Sequence, residues 1–333
     1  MKRARILFIA GWAALAAASH AADTRVGVIG LDTSHTIEFT KMLNVEKGDP
    51  AFEGFKVTAA YTYGSLDIPS STNRYPAYTK QMQEMGVEIV GSLGELLKQT
   101  DVILLETNDG RRHLEQALEV FKAGKRVFID KPMAASLADV LAIFEAAEKS
   151  GVPVFSASSL RYPKKVQAAR AGEFGRVIGA DAYSPCKLEP THPDLFWYGI
   201  HGVEPLFTVM GTGCESVVRV SRDEVDLVVG AWKDGRVGTL RGLRGKLAPY
   251  GCEIFAEKGG RMALGGYEGY KPLLIEVMKF FKTGVAPVPP EETIEMFAFM
   301  EAAHESKRLG GVPVKIADVL AKARAEAAQK GSK

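Results

Sequence analysis

Residues 25–35, RVGVIGLDTSH, are the stretch that decides the fold. The apolar run that ends in Gly30 predicts a buried strand, and a helix is expected to follow over residues 36–44. A strand that turns through glycine into a helix is typical of the first unit of a Rossmann-type nucleotide-binding domain, whose full motif is G-x-G-x-x-G. Since Gly30 is the one glycine of that motif present here, the motif predicts the fold but argues only weakly for a dinucleotide ligand.

The loop after this strand offers groups that could bind a phosphate. Thr33 and Ser34 carry hydroxyls, and His35 can donate a hydrogen bond, above all when protonated. Asp32 stands where the second glycine would be, and its carboxylate would either cap the helix or occupy the anion site that a pyrophosphate needs. Both interpretations stay open. The candidate cofactor-binding residues of this loop are Gly30, Leu31, Asp32, Thr33, Ser34 and His35.

Strands and helices go on alternating up to about residue 158. Further strands are predicted over residues 56–62, 87–90, 102–106, 126–130 and 152–156. Helices are predicted over residues 113–123 and 137–150. This alternation implies parallel strands joined by right-handed crossovers, so residues 22–158 are predicted to form a doubly wound α/β domain of the Rossmann type.

The end of the second predicted strand, residues 61–65 (YTYGS), lacks the Asp or Glu that usually accepts hydrogen bonds from a ribose. Ser65 would suit the 2′-phosphate of NADP, but the nearest arginine along the chain is Arg74. The choice between NAD and NADP therefore stays open.

After about residue 158 the pattern changes to closely spaced β segments. They are predicted over residues 177–183, 216–221, 225–232, 236–243, 252–257 and 261–264. The short turns between most of them favour an antiparallel sheet. Helices are expected over residues 164–171, 272–283 and 291–308. We therefore predict an α+β domain over residues 159–320, with one open antiparallel sheet and helices on one of its faces, followed by a tail over residues 321–333.

Bulk properties exclude some partners and select none. The chain has 333 residues and a formal net charge of +2, and its charges are scattered. The length is typical of two domains, and no basic run suggests nucleic acid. The three cysteines, Cys186, Cys214 and Cys252, match no metal-binding spacing, so we expect no metal site. Buried thiols are the favoured interpretation, although two of the three could pair in an oxidising compartment.

The first 21 residues have the order of a secretory signal. Basic residues at positions 2, 3 and 5 precede an apolar run over residues 6–18, and small residues stand before a possible cut after Ala21. The run is short for a membrane span, but an uncleaved anchor remains the alternative. We expect cleavage near Ala21 and an exported protein, periplasmic or secreted, whose mature chain has no membrane span.

Three segments further along resemble one known family. Residues 123–134, AGKRVFIDKPMA, are similar to the segment AGKHVFxEKPxA, with Asp130 in place of the glutamate. Thr107 and Asn108, with His113, resemble a TP…H segment that has lost its proline, and residues 297–311 are similar to the last helix. The family is Gfo/Idh/MocA, the group of glucose–fructose oxidoreductase and inositol dehydrogenase. The resemblance covers about residues 25–316.

The resemblance implies a site between the two domains. In that family the lysine of the Lys-Pro pair meets both cofactor and substrate, and Lys131 is its match here. The second domain usually supplies Asp-x-Gly-x-His, whose histidine is the general acid/base. Residues 197–201, WYGIH, match this segment, with His201 present and Trp197 in the place of the aspartate. Glu204 or Asp194 could replace the missing carboxylate.

Four residues are our candidates for substrate contact. Arg161 and Tyr162 resemble the family's segment that enters the second domain. Trp197 and Tyr198 add aromatic surface that would suit stacking on a pyranose or cyclitol face, although core packing would explain them equally well. The cofactor candidates implied outside the first loop are Thr107, Asn108 and Lys131.

The resemblance thus implies an oxidoreductase dependent on NAD or NADP that acts on a hydroxyl of a sugar, glycoside or cyclitol, with Lys131 and His201 as its catalytic residues. Two alternatives stay open. The first is a non-redox glycosidase or lyase with tightly bound NAD, and the second is a carbohydrate-binding protein on a decayed scaffold. An open sheet with apolar residues on its outer face favours association with another chain. The resemblance also implies a homodimer or higher homo-oligomer.

Overall fold

Two β-sheets organise the residues that the computed structural model describes, which are 22–246 and 248–330. The predicted signal segment lies outside the described residues. None of the helices in the described part of the chain has the length and apolar character needed to cross a membrane.

The first sheet has six strands in the order β3-β2-β1-β4-β5-β6, and all of its pairs are parallel. The strands are Thr24–Ile29 (β1), Phe55–Tyr61 (β2), Glu88–Val90 (β3), Val102–Leu105 (β4), Val127–Ile129 (β5) and Val154–Ser156 (β6). The predicted doubly wound parallel sheet is confirmed. The strand order reverses between β1 and β4, and a crevice opens at such a point above the carboxyl ends of the strands.

Six helices accompany this sheet. They are Ser34–Thr40 (α1), Pro69–Thr72 (α2), Tyr75–Glu84 (α3), Leu93–Gln99 (α4), His113–Lys122 (α5) and Leu137–Ser150 (α6). The first helix continues past α1 as the π-helical turns Lys41–Glu46. Ser92 and Ser136 cap α4 and α6, because each hydroxyl accepts a hydrogen bond from an amide of the first turn.

The second sheet has seven strands in the order β12-β11-β7-β10-β9-β8-β13. They are Val177–Pro185 (β7), Cys214–Arg222 (β8), Val225–Trp232 (β9), Val237–Leu243 (β10), Gly251–Ala256 (β11), Gly260–Gly265 (β12) and Val314–Lys315 (β13). β7 and β10 pair in parallel and the other pairs are antiparallel, so the sheet is mixed and not wholly antiparallel as predicted. A long helical connection after β7 lets the chain return in the same direction, as parallel pairing requires.

Five helices complete the described fold. They are Lys164–Arg170 (α7), Ile200–Met210 (α8), Lys271–Thr283 (α9), Pro290–Arg308 (α10) and Ile316–Lys330 (α11). The predicted tail is wrong within the described residues, because α11 extends through most of it and packs on α6 and α10. Its Val319, Ala323 and Ala327 recur every four residues and are buried, which is the apolar stripe of a packed helix.

Helix α9 returns from the second part of the chain to the first sheet. Its Leu273, Val277 and Phe280 are buried in one cluster with Val26 and Phe39 of the first domain. Packing therefore crosses the predicted boundary at residues 158 and 159. The return also brings Tyr270, at the start of α9, over the loop that follows β1.

The three cysteines are free and buried, as the favoured interpretation expected. Burial raises the pKa of each thiol, that of Cys186, Cys214 and Cys252, to about 12. A thiol that stays protonated is a poor nucleophile, so these residues serve packing.

Candidate active site

A cleft of about 360 Å³ lies between the two sheets, above the carboxyl ends of the parallel strands. The first domain lines it mainly with Thr33, Ser34, His35, Ser70, Arg74, Asn108, Asp130 and Lys131. The other wall carries Ser159, Lys187, Glu189, Trp197, Tyr198, His201, Tyr250, Tyr267 and Tyr270. The structure therefore brings Lys131 and His201, the two predicted catalytic residues, to one cleft.

Gly30 lies beneath the cleft, where the loops after β1 and β4 meet. Its φ of +86° is in the left-handed region, and a Cβ there would stand 2.5 Å from the backbone of Thr107. Only glycine allows this close approach without strain. Leu31 and Thr107 are fully buried and do not face the cleft with their side chains. Their role is to pack the loops that carry the lining residues.

Asp32 does not cap α1, which corrects that interpretation of the loop. Thr33 occupies the N-cap position and makes no side-chain hydrogen bond to the helix. The carboxylate of Asp32 accepts hydrogen bonds from the Asn108 amide at 3.0 Å and from the Ser71 hydroxyl at 2.6 Å. Burial raises the pKa of Asp32 to about 6. Asp32 thus ties the loop after β4 and helix α2 to the loop after β1.

Lys131 follows β5 and projects into the cleft. Its ammonium lies 5.9 Å from the centre of the Tyr198 ring, within the range of a cation–π contact. Its backbone N–H donates to the carboxylate of the preceding Asp130 at 2.8 Å. Asp130 in turn lies 2.9 Å from Nδ1 of His35, which packs edge-on against Tyr270. The position of Lys131 is therefore supported from both domains.

His201 stands opposite, near the start of α8. Its Nδ1 lies 2.8 Å from the hydroxyl of Ser158, two residues after the end of β6. The same hydroxyl accepts a hydrogen bond from the Leu160 amide. Burial, reinforced by the positive charge of Lys131, lowers the pKa of His201 well below its ordinary value. A neutral imidazole oriented in this way can accept a proton from a hydroxyl group in the cleft.

Neither carboxylate proposed from the sequence orients His201. Glu204 is buried and binds the guanidinium of Arg161 at 2.6 Å. Asp194 binds Arg219 and Lys307 on another part of the second domain. Ser158 takes this position instead, and it was missed because nothing in the residues 197–201 points to a serine some 40 positions earlier.

Two of the four predicted substrate residues lie in the cleft and two do not. Trp197 and Tyr198 line it. Arg161 is buried between Glu204 and Glu292, and Tyr162 packs in the hydrophobic core. The structure therefore gives Arg161 and Tyr162 a structural role in place of substrate contact. A buried arginine needs two carboxylates close at hand, and such partners come from distant parts of the chain.

Two further histidines were not among the site candidates. His192 accepts the Gly110 amide with Nε2 at 3.2 Å, and its ring lies 4.8 Å from that of Trp197. Burial lowers its pKa to about 4, so the ring is neutral and suited to accept. His113 places its nitrogens 2.6 and 3.1 Å from the carbonyl oxygens of Thr107 and Met133. The two rings hold together the loops that form the cleft.

Residues 24–158 match the model of the Gfo/Idh/MocA oxidoreductase family, which is described by its NAD-binding Rossmann fold. The first domain is therefore similar to the NAD-binding domain of this family. The matched residues include β1 to β6, the loop with Asp32, and Lys131. The family resemblance drawn from the sequence is thereby confirmed.

Similar proteins extend this comparison. The chain is 25% identical over 138 residues to the uncharacterised oxidoreductase YhhX of Escherichia coli K12. This match covers 38% of this chain and 40% of that relative. A probable dehydrogenase from Thermotoga maritima has a similar fold, with a TM-score of 0.70, 21% identity, and coverage of 89% of this chain and 99% of the other. The scyllo-inositol dehydrogenase of Lactobacillus casei, solved with NAD(H) and scyllo-inositol, is similar with a TM-score of 0.69 and 14% identity. That match covers 89% of this chain and 99% of the other.

The residues of the cleft fit a nicotinamide dinucleotide. The N-cap residue Thr33 makes no side-chain hydrogen bond to the helix that begins at Ser34, which leaves amide groups of the first turn for a pyrophosphate. Arg74 adds a positive charge to the same part of the cleft, where its guanidinium lies 3.4 Å from the carbonyl of Asp32. Ser65, in contrast, donates to Asp109 and is buried, so it is not free to bind a 2′-phosphate.

Proposed function

We propose that the protein is an oxidoreductase dependent on NAD(H) or NADP(H) that acts on a hydroxyl group of a sugar, glycoside or cyclitol. The observation that carries the proposal is the presence of Lys131 and His201 in one cleft, beside a helix start that can hold a pyrophosphate. The match of residues 24–158 to an oxidoreductase family supports the redox chemistry. The substrate class rests on the cleft itself.

The two residues have complementary tasks. His201 takes the proton of the substrate hydroxyl as the carbon–oxygen double bond forms, and the Ser158 contact keeps its ring oriented. Lys131 donates a hydrogen bond to the same oxygen and stabilises the negative charge that develops on it. The bound nicotinamide supplies the chemistry of accepting the hydride from the substrate carbon.

The walls of the cleft suit a ring that carries hydroxyl groups. Trp197, Tyr198, Tyr250 and Tyr267 present aromatic faces and three phenol groups, and the hydroxyls of Tyr198 and Tyr250 lie 3.2 Å apart. Aromatic faces pack against the C–H surface of a pyranose or cyclitol, while phenol hydroxyls exchange hydrogen bonds with its edge. This combination supports a carbohydrate-like substrate over a purely apolar one.

One contact favours the alternative of a tightly held nucleotide and a redox-neutral reaction. The hydroxyl of Tyr270, at the start of α9, lies 2.9 Å from that of Ser34, in the first turn of α1. This contact joins α9 to the first turn of α1, and it would slow the release of a nucleotide bound there. A glycosidase or lyase that oxidises its substrate transiently would benefit from such a closure.

The nucleotide that co-purifies with the protein tests both proposals. We expect mass spectrometry of the native protein to show NAD(H) or NADP(H), and a panel of sugars and cyclitols to include one that changes the absorbance of added nucleotide. Product formed without net reduction of nucleotide would support the redox-neutral alternative. Failure of the protein to bind either nucleotide would leave a carbohydrate-binding protein as the remaining interpretation.

We also propose that the chain is exported, on the order of charged, apolar and small residues in its first 21 positions. N-terminal sequencing of the protein expressed in its native host is expected to begin at or near residue 22. A soluble protein that still begins at Met1 would contradict this proposal.

A further inference from the structure

Three titratable residues meet beneath the cleft, next to Lys131. They are His35 at the start of α1, Glu106 directly after β4, and Asp130 directly after β5. All three are buried, and each offers a nitrogen or oxygen within 4.8 Å of the other two. Nδ1 of His35 is 2.9 Å from Asp130 and 3.8 Å from Glu106.

Each carboxyl group in this cluster has one satisfied and one unsatisfied oxygen. Oε2 of Glu106 accepts a hydrogen bond from Thr33, and Oδ1 of Asp130 accepts one from the Lys131 amide. Among the described residues, Oε1 of Glu106 and Oδ2 of Asp130 have no hydrogen-bond partner, although both are buried. Carboxyl oxygens of the two residues lie within 4.8 Å of each other. A proton on one carboxyl group would let it donate to the other, and unpaired buried acceptors are costly.

Three occupants could neutralise this cluster, and the contacts favour one of them. A divalent cation bound by His35, Glu106 and Asp130 would leave a net charge of +1 once Lys131 is counted, whereas a single proton leaves the group neutral. A proton placed on His35 would be donated to Oδ1 of Asp130, which already accepts a hydrogen bond. It would leave Oε1 of Glu106 and Oδ2 of Asp130 unpaired. A proton on Glu106 balances the charge and gives Asp130 a further donor.

We propose that Glu106 is a neutral carboxylic acid that donates to Asp130, and that Glu106 and His35 are positioning residues that hold the negatively charged carboxylate of Asp130 next to Lys131. The location of the proton stands on the buried contacts alone. The consequence for catalysis rests on the proposed function, because it requires Lys131 to act on substrate.

The surroundings of the cluster agree with this assignment. Burial, together with the negative charge of Asp130, raises the pKa of Glu106 well above its ordinary value, while Lys131 opposes that shift. From α5 and α8, His113 and His201 are the other titratable groups that interact with Asp130. From α9, Tyr270 covers the ring of His35 at 4.5 Å between ring centres. No further carboxylate of the described residues belongs to the cluster of His35, Glu106 and Asp130.

The first experiment locates the proton without any activity assay. A carboxylic acid has an infrared carbonyl stretch that a carboxylate lacks. We expect this band in the difference spectrum of the native protein minus Glu106→Gln at neutral pH. The difference spectrum of the native protein minus Glu119→Gln, which changes an exposed glutamate on α5, should lack the band. Absence of the band would place the proton elsewhere and overturn the proposal. So would a stoichiometric divalent cation in the native protein that Glu106→Gln loses, measured by elemental analysis after loading with Mn²⁺ or Zn²⁺.

The second experiment uses the pH dependence of unfolding. Because the pKa of Glu106 is raised in the folded state, its stabilising contribution is present at low pH and is lost as pH rises towards that raised pKa. For this one proton the unfolding constant should grow about tenfold per pH unit above the ordinary glutamate range. The growth should be absent from Glu106→Gln. Since glutamine mimics the neutral acid, failure of that variant to fold would also count against the proposal.

Activity then tests the positioning role. We expect Glu106→Ala, which has no group that can donate to Asp130, to lower kcat/KM, and Glu106→Gln to restore most of it, because the amide can donate to Asp130 as the acid does. Asp130→Asn should lower kcat/KM by about a hundredfold or more, since Lys131 loses the negative charge beside it. Native activity in Glu106→Ala, or equal losses in Glu106→Ala and Glu106→Gln, would overturn the positioning role. An inactive native protein would instead refute the proposed function and leave the infrared result standing.

Discussion

Asp32 replaces a glycine of the dinucleotide-binding motif, yet its carboxylate binds Ser71 and the Asn108 amide and leaves the first turn of α1 free. A carboxylate at this position was expected either to cap the helix or to compete with a pyrophosphate. The distances instead show a buried cross-link between three loops. Asn108 lines the cleft, so the effect of Asp32 on a cofactor is indirect.

Asp32→Gly is therefore expected to weaken the binding of NAD(H) or NADP(H). The change leaves the buried Asn108 amide without its acceptor, at a cost of about 1–3 kcal/mol, and frees the loop that it holds. Calorimetric titration of both nucleotides measures the effect. Asp32→Asn is the matched control, because its amide can serve both partners. Tighter binding by Asp32→Gly would revive the idea of competition for the anion site.

Lys131→Ala should lower kcat by about a hundredfold or more, because a hydrogen-bond donor to the developing negative charge is lost. Lys131→Arg should restore only part of the rate, since a planar guanidinium cannot take the place of a compact ammonium. Steady-state kinetics on the substrate found in the panel would measure both. Lys187→Ala, which removes another lysine of the cleft, is the control. Similar rates for native protein and Lys131→Ala would remove Lys131 from the mechanism.

At the scale of elements, the loops after β4 and β5 are joined by a side chain from α5. The ring of His113 lies between the carbonyl oxygens of Thr107 and Met133, which belong to those two loops. Both loops carry residues of the cleft, Asn108 on one and Lys131 on the other. The helix therefore contributes to the site although none of its residues touches the cleft.

His113→Ala is expected to lower the free energy of unfolding by about 2 kcal/mol or more, because a buried carbonyl oxygen loses its donor and a cavity forms. Urea denaturation measures the difference. Glu119→Ala, an exposed change on the same helix, should shift stability by less than about 0.5 kcal/mol. If the two variants unfold at the same urea concentration, His113 does not join the loops as the contacts indicate.

At the scale of the whole molecule, one face of the second sheet is exposed to solvent in the single chain. Helices α8 and α10 cover one face. The other exposes Ile178, Val220, Val237 and Phe255, each 40–51% accessible. Exposed apolar side chains gathered on one sheet favour association with a second copy. The sequence expectation of a homodimer through this face thus becomes a specific prediction.

We expect the protein to be a dimer at micromolar concentration, and expect Val237→Glu to shift it towards monomer, because a charge would be buried at the contact. Light scattering coupled to gel filtration gives the mass. Val285→Glu is the control, since Val285 is 71% exposed in the loop after α9, away from the sheet. A monomeric native protein, or equal masses for the two variants, would contradict the predicted face.

The strands of the first sheet were predictable from the sequence because each is a short apolar run bounded by turn residues, and their parallel order follows from alternation with helices. The approach of Lys131 and His201 was predictable only through the family resemblance. Helix α11 was missed because a composition rich in alanine and lysine was interpreted as a tail, whereas its buried positions recur every four residues.

Local periodicity can be read from the sequence because a helix or strand places neighbouring residues on one face, and that arrangement depends on the chain nearby. The partners of Asp32, His201 and Arg161 could not be read in this way. Ser71, Ser158 and Glu292 lie 39, 43 and 131 positions away, and only the packing of loops and helices brings them within hydrogen-bond distance. The sequence by itself determined the two sheets and the candidate lysine and histidine. The tertiary structure alone decided which side chains hold them in place.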